Sequence, residues 1–198
     1  MNFFHLFAVA LLALNFTGQP VPENRTIVPA AVAPSTTPVN ETEEFITWTN
    51  DRLLTWEDFK CEPRTGTDAV ASTSTSLGIA YQLVDGQLSY DITCNFSKVK
   101  SWGLMKTDYI LAHEQGHFDI TEIFARKLYE ALQNYDFNKK TFKRDISEIY
   151  QSIVKQKEEF QKMYDGQTDH SRNRKAQYEW LEKIQKLIEE TEAFEMYP

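Results

Sequence analysis

Five residues, His113-Glu114-Gln115-Gly116-His117, constrain this chain more than any others. They form an H-E-x-x-H pentad inside a stretch with helical apolar spacing: Ile110, Leu111, Phe118, Ile123, Phe124, Leu128 and Leu132 recur around it. The spacing predicts a helix from about Thr107 to Asn134, capped by Thr107 or Asp108. Side chains four apart on a helix share a face, with Cβ atoms about 5–6 Å apart. Two imidazoles so placed can bind one Zn²⁺, and the glutamate between them can take a proton from water activated there. Gly116 weakens its own helix by about 1 kcal/mol against alanine. Its presence implies a need for space, such as a strand or a substrate packed close by.

A hydrolytic zinc site needs a third protein ligand and an open position. Of four histidines, His5 falls in the apolar leader and His113 and His117 are the pair, which leaves His170 as the expected third ligand. It lies in Asp165-Gly166-Gln167-Thr168-Asp169-His170-Ser171, read as a polar turn between two later helices. Acidic residues compete for the role. Glu122 is rotated roughly 140° from His117 and better suits an i,i+4 pair with Arg126. Asp119 is turned farther away, while Glu130 and Asp136 remain open. Tyr164 is either an oxyanion donor or a core aromatic, and the stripe it ends favours the core.

The rest of the chain reads as three parts. Residues 1–18 are apolar and free of Lys, Arg, Asp and Glu, which fits a signal peptide and places the mature protein in the periplasm, the cell envelope or outside the cell. Residues 19–44, rich in Pro, Val, Thr and Glu, read as a linker without helical or strand period. Residues 45–198 make one domain of ordinary size. Ala71–Val84 and Gln87–Ser97 flank Asp85-Gly86, a hairpin turn signal, and Leu88, Tyr90, Ile92, Cys94 and Phe96 alternate with polar residues. Two stripes follow: Phe142, Ile146, Ile149, Ile153, Phe160 and Tyr164, then Trp180, Leu181, Ile184, Leu187 and Ile188. A small antiparallel sheet or hairpin, a metal-binding helix and two further helices define an α+β class.

A net charge of −8 argues against nucleic acid and against binding acidic lipid by charge. No segment after the leader is apolar enough to insert stably in a membrane. Cys61 and Cys94, an even count in an exported chain, allow one disulfide or two free thiols. Oligomeric state is open.

His113 through Glu122 with Ala125-Arg126 resembles the core of the bacterial domain-of-unknown-function family 922, regarded as secreted zinc-dependent proteases. Leu54 through Phe59, Ser101-Trp102, Tyr164-Asp165, Thr168-Asp169-His170, Gln177 and Trp180 are similar as well. Ser171 stands where the family pattern has glycine. The resemblance implies a zincin-like metallopeptidase acting on protein or peptide, supports His170 as a ligand, and suggests a structural Glu122–Arg126 pair. With Glu114 as general base, the expected function is peptide-bond hydrolysis by metal-activated water. The alternative is a non-catalytic, zinc-stabilised binding module of the envelope.

Overall fold

The computed structural model describes residues 26–28, 44–64, 66–67 and 69–198. The expected signal peptide and most of the expected linker lie outside them. The elements run β1 (Thr26–Val28), β2 (Phe45–Thr47), a 3-10 turn (Trp56–Asp58), β3 (Ala71–Ser72), β4 (Thr75–Val84), β5 (Gln87–Ser97), β6 (Trp102–Gly103), α1 (Asp108–Gln133), α2 (Phe142–Thr168), α3 (Arg174–Glu190) and a last 3-10 turn (Glu192–Phe194). The class is α+β: a four-stranded antiparallel sheet, ordered β1-β4-β5-β2, with three helices on it, plus the small β3-β6 pair.

The hairpin forms as its sequence dictates. Asp85 and Gly86 take φ of 51° and 81°, the left-handed pair that matches the twist of the flanking strands. Val84 then faces Gln87, and the register holds through Thr75 and Phe96. Alternation puts Leu77, Ile79 and Tyr81 of β4 and Ile92, Cys94 and Phe96 of β5 in the core. α1 lies on that face, where Phe118 meets Phe96 at 5.9 Å between ring centroids. Its other side receives α2 and α3, joined through Phe124–Phe160 and Phe160–Trp180 contacts. A helix covered on both sides must bury polar residues too, and α1 buries His113, Glu114, Thr121, Glu122 and Arg126.

Several polar residues around α1 are accounted for as supports. Thr107 caps α1 by accepting from the Ile110 amide. Asp58 accepts from the Thr55 amide and hydroxyl and from Arg52. Gln115 accepts from the Leu54 amide and donates to Asp119, which also receives the Trp48 indole N–H. Arg126 donates to Glu122 Oε1 at 2.8 Å and to the Ile188 carbonyl, so this expected pair is a buried structural one. Cys61 and Cys94 are both free thiols.

Four expectations need correction. Thr26–Val28, inside the expected linker, pairs with β4 as an edge strand. The first hairpin arm is interrupted, because Ser74 is held by the Ser97 amide and the Ser101 hydroxyl. Ala71–Ser72 is thereby diverted to pair with β6. α2 does not end before Asp165 but continues to Thr168, since Thr168 lies four residues past Tyr164 and prolongs the buried stripe. The space above Gly116 is taken by neither strand nor substrate. A Cβ there would stand 2.6 Å from Tyr164 Oη and 3.0 Å from its Cζ.

That contact yields a prediction. Gly116→Ala gains about 1 kcal/mol of helix propensity but overpacks a ring that is wholly buried, so the net loss is about 1–3 kcal/mol. Urea denaturation checks it, and adding Tyr164→Phe should recover part of the loss.

Candidate metal centre

α1 and α2 run side by side, and the pentad faces the last turns of α2. His113 Nε2 lies 3.2 Å and His117 Nε2 3.1 Å from one atom, Asp165 Oδ1. Donor atoms of these three residues all fall within 4.8 Å of one another, a group that could hold a metal ion. Atoms each about 2.0–2.1 Å from a shared tetrahedral zinc stand roughly 3.3–3.4 Å apart, close to the spacings from Oδ1.

Two glutamines fix which imidazole nitrogen carries hydrogen. Gln161 Nε2 donates to the His117 carbonyl, which can only accept, and to Thr121 Oγ1. Its Oε1 is therefore the atom against His117 Nδ1, and that nitrogen must donate. The second case closes through Tyr164. The Tyr164 hydroxyl donates to the His113 carbonyl at 3.2 Å and accepts from Gln177 Nε2 at 3.0 Å. Gln177 Oε1 then accepts from His113 Nδ1 at 2.8 Å. With hydrogen on each Nδ1, a neutral pair directs two bare Nε2 lone pairs at a carboxylate oxygen. Three acceptors in van der Waals contact repel unless a cation lies between them, either a metal ion or a proton.

Tyr164 is thus a positioning group. Its ring stacks on His113 at 4.5 Å and meets His117 edge-on at 5.1 Å, and its hydroxyl is fully engaged. Glu114 differs from its neighbours. It is 4% exposed, and Oε2 has no hydrogen-bond partner among the described residues. It lines a cleft of about 790 Å³ together with His113, His117 and Asp165. The segment Ala69–Thr75 forms one wall, and the α2 residues Lys157 to Gly166 form the other.

His170 also lines this cleft but stands outside the three-residue group, 59% exposed at its side chain, with Nδ1 3.7 Å from Asp165 Oδ1. The reason is the length of α2. Asp165 stays on the helix, while Asp169, His170 and Ser171 take φ of 50°, 50° and 69° and turn the chain toward α3. Such a left-handed run costs non-glycine residues energy at each step. Ser171 is among them. The Tyr109 hydroxyl on the Ser171 carbonyl and the Asn173 amide on the Thr168 carbonyl hold the turn. Reading Asp165-Gly166 as a loop is what hid Asp165 as a donor. Its signal was present: it is one helical turn beyond Gln161 on the face toward the pentad. The competing acids point elsewhere. Glu122 is held by Arg126 and Tyr197, Asp119 by Trp48 and Gln115.

The site's electrostatics follow from this packing. Burial opposes charge on His117, but the hydrogen bond and charge of Asp165, with Glu114 and Gln161, outweigh it and raise its pKa above 6.5. Burial would raise Asp165, yet hydrogen bonds and charge from His113 and His117 carry its carboxyl far below the ordinary 3.8.

Two predictions follow from the centre. Asp165→Ala should weaken zinc binding more than about 100-fold and His170→Ala less than about tenfold, measured by competition with a chromogenic chelator. The opposite order returns His170 to the ligand set. For the metal-free chain, a raised histidine stabilises below 6.5 and is lost as pH rises through its folded pKa. A depressed carboxyl stabilises above 3.8 and is lost as pH falls through its own. The stability difference between the chain and Asp165→Asn should therefore peak between pH 3.8 and 6.5. Thermal melts across pH in chelator check this, and a difference that grows above pH 7 contradicts it.

No curated protein and no solved structure matches the chain. Residues 30–171, well over half its length, match the family described as "Bacterial protein of unknown function (DUF922)", and the chain belongs to that family.

Proposed function

We propose that this chain is a zinc-dependent peptidase of the bacterial envelope or exterior, delivered by its apolar leader, with His113, His117 and Asp165 as protein ligands and Glu114 as general base. The observation that carries the reading is the buried Oε2 of Glu114, left without a partner beside a convergent three-donor group in a cleft. Bound zinc would supply Lewis acidity toward the scissile carbonyl and make water acidic enough to deprotonate near neutral pH.

The chain's own residues then divide the work. Gln161 and Gln177 keep hydrogen on both Nδ1 atoms, so both Nε2 atoms stay basic toward the cleft. The Glu114 carboxylate accepts the proton of the attacking water and returns it to the departing amine. The short strand Ala71–Ser72 uses one edge on β6 and borders the cleft with the other, a seat for an extended peptide. His170, at the cleft wall, is within reach of a bound chain. A zinc-stabilised binding module would hold the same ligands but would give Glu114 no task.

Glu114→Gln should retain zinc in full and lose about 10²–10⁴-fold in hydrolysis of a denatured protein, as a lost general base does. Metal analysis and a fluorescent-casein assay test both halves. Zinc retention with an unchanged rate removes the base role, and a wild-type chain that binds zinc but never cleaves supports the binding module.

A further inference from the structure

α2 carries a lysine where its core stripe calls for an apolar residue. Ile146, Tyr150 and Ile153 precede it and Tyr164 follows, all buried, yet position 157 is Lys at 6% exposure. Its one ion pair among the described residues is with Glu158, at 2.9 Å, and that carboxylate is 66% exposed. A cation so desolvated against a partner so wet is undercompensated. Both residues line the cleft of the candidate metal centre. Lys162, on the same wall, is exposed and makes no ion pair among the described residues. Across from them stands Ser72-Thr73-Ser74-Thr75, and Thr73 Oγ1 is a buried atom without a partner. Apart from Glu114 Oε2, it is the only such side-chain atom among the described residues.

We infer that the cleft selects acidic peptides, with Lys157 and Lys162 as specificity residues that take a carboxylate of the bound chain. The cleft runs along α2, so helix rise gives the spacing. Lys157 is eight residues from Asp165, about 12 Å along the axis. An extended peptide advances about 3.3 Å per residue, which places the acidic side chain three to four residues from the point opposite the metal centre. Lys162 is about 4.5 Å from Asp165 on the same measure and serves a position one to two residues away. Thr75 is engaged by Thr121, while the other hydroxyls of the opposite wall, the unpartnered Thr73 among them, offer donors to the same oxygen-rich side chains without adding bulk. This inference extends the peptidase reading but rests on binding, so the two can fail separately.

The test uses the full chain with Glu114→Gln, loaded with zinc, so that peptide is not consumed. Fluorescein-labelled ten-residue peptides of Ala and Ser, each with one Glu moved along the sequence, are compared with the neutral parent by anisotropy at low salt. The expected result is about fivefold to tenfold tighter binding at a preferred Glu position. That advantage should vanish in Lys157→Met, which fills the same volume on an apolar stripe. Lys162→Glu, at an exposed site that does not threaten folding, should weaken binding of peptides with Glu nearer the metal centre. Equal binding of all peptides, no binding of any, or an advantage that survives both variants overturns the inference. A Glu preference in a wild-type chain that cleaves nothing leaves the inference standing and removes the peptidase reading. Cleavage without a Glu preference does the reverse.

Discussion

Two imidazole lone pairs and one carboxylate oxygen meet at a point between α1 and α2, and much of the surrounding packing exists to keep them there. Left alone, the three acceptors would move apart. They are restrained by two glutamines and a tyrosine. Gln161 reads both the ring and the carbonyl of His117, and Gln177 does the same for His113 through the Tyr164 hydroxyl. Each glutamine has its amide orientation settled by an acceptor-only carbonyl, directly or through one hydroxyl. The direction of the imidazole nitrogens is therefore a consequence of the hydrogen-bond network rather than of ring packing alone. A cation, proton or metal, is what completes it.

Much of this was legible in the sequence, and each failure has a physical cause. The pentad helix was bounded within one residue at each end, because apolar spacing and a threonine cap agree. The hairpin was legible because Asp-Gly favours a left-handed turn and β5 alternates cleanly. The Glu122–Arg126 pair followed from spacing of four on a helix. What failed was the end of α2. Asp165-Gly166 looks like a turn by composition, but nothing in Gly166 forces one. Thr168, a hydroxyl that bonds back to the Tyr164 carbonyl, continues the stripe in disguise. With the helix ended four residues early, Asp165 became a loop residue and His170 the natural third ligand. Gly116 misled for the opposite reason. Its need for space was legible, but sequence spacing does not say that the occupant is a tyrosine 48 positions later.

Stability and the site are coupled through this arrangement. Tyr164 packs over Gly116, stacks on His113, and bridges to Gln177 of α3 and the Trp180 ring. One side chain therefore joins three helices at the candidate centre. Farther along α1, Glu122 and Arg126 are joined by the Tyr197 hydroxyl and the Ile188 carbonyl, while the Ile92 amide donates to the Pro198 carbonyl. Breaking a buried ion pair of this kind by removing one partner typically costs about 3–5 kcal/mol. α3 and the segment after it thus hold the middle of α1, while Tyr164 packs nearer its start.

Against that background Glu114 is the exception that demands a reason. α1 buries many polar groups, and the fold finds partners for them: Thr121 bonds Thr75 and the His117 carbonyl, Asp119 bonds Trp48, Glu122 bonds Arg126 and Tyr197. Glu114 lies among them, lines the cleft, and keeps one buried oxygen without a partner. An unsatisfied buried acceptor costs about 1–3 kcal/mol, more when it is ionised. An apolar residue of similar volume would remove that cost and leave both histidines in position. Folding alone gives no reason to carry a carboxylate there. Its cost makes sense when the missing partner is something that enters the cleft and leaves again, and a base waiting for a proton meets that description.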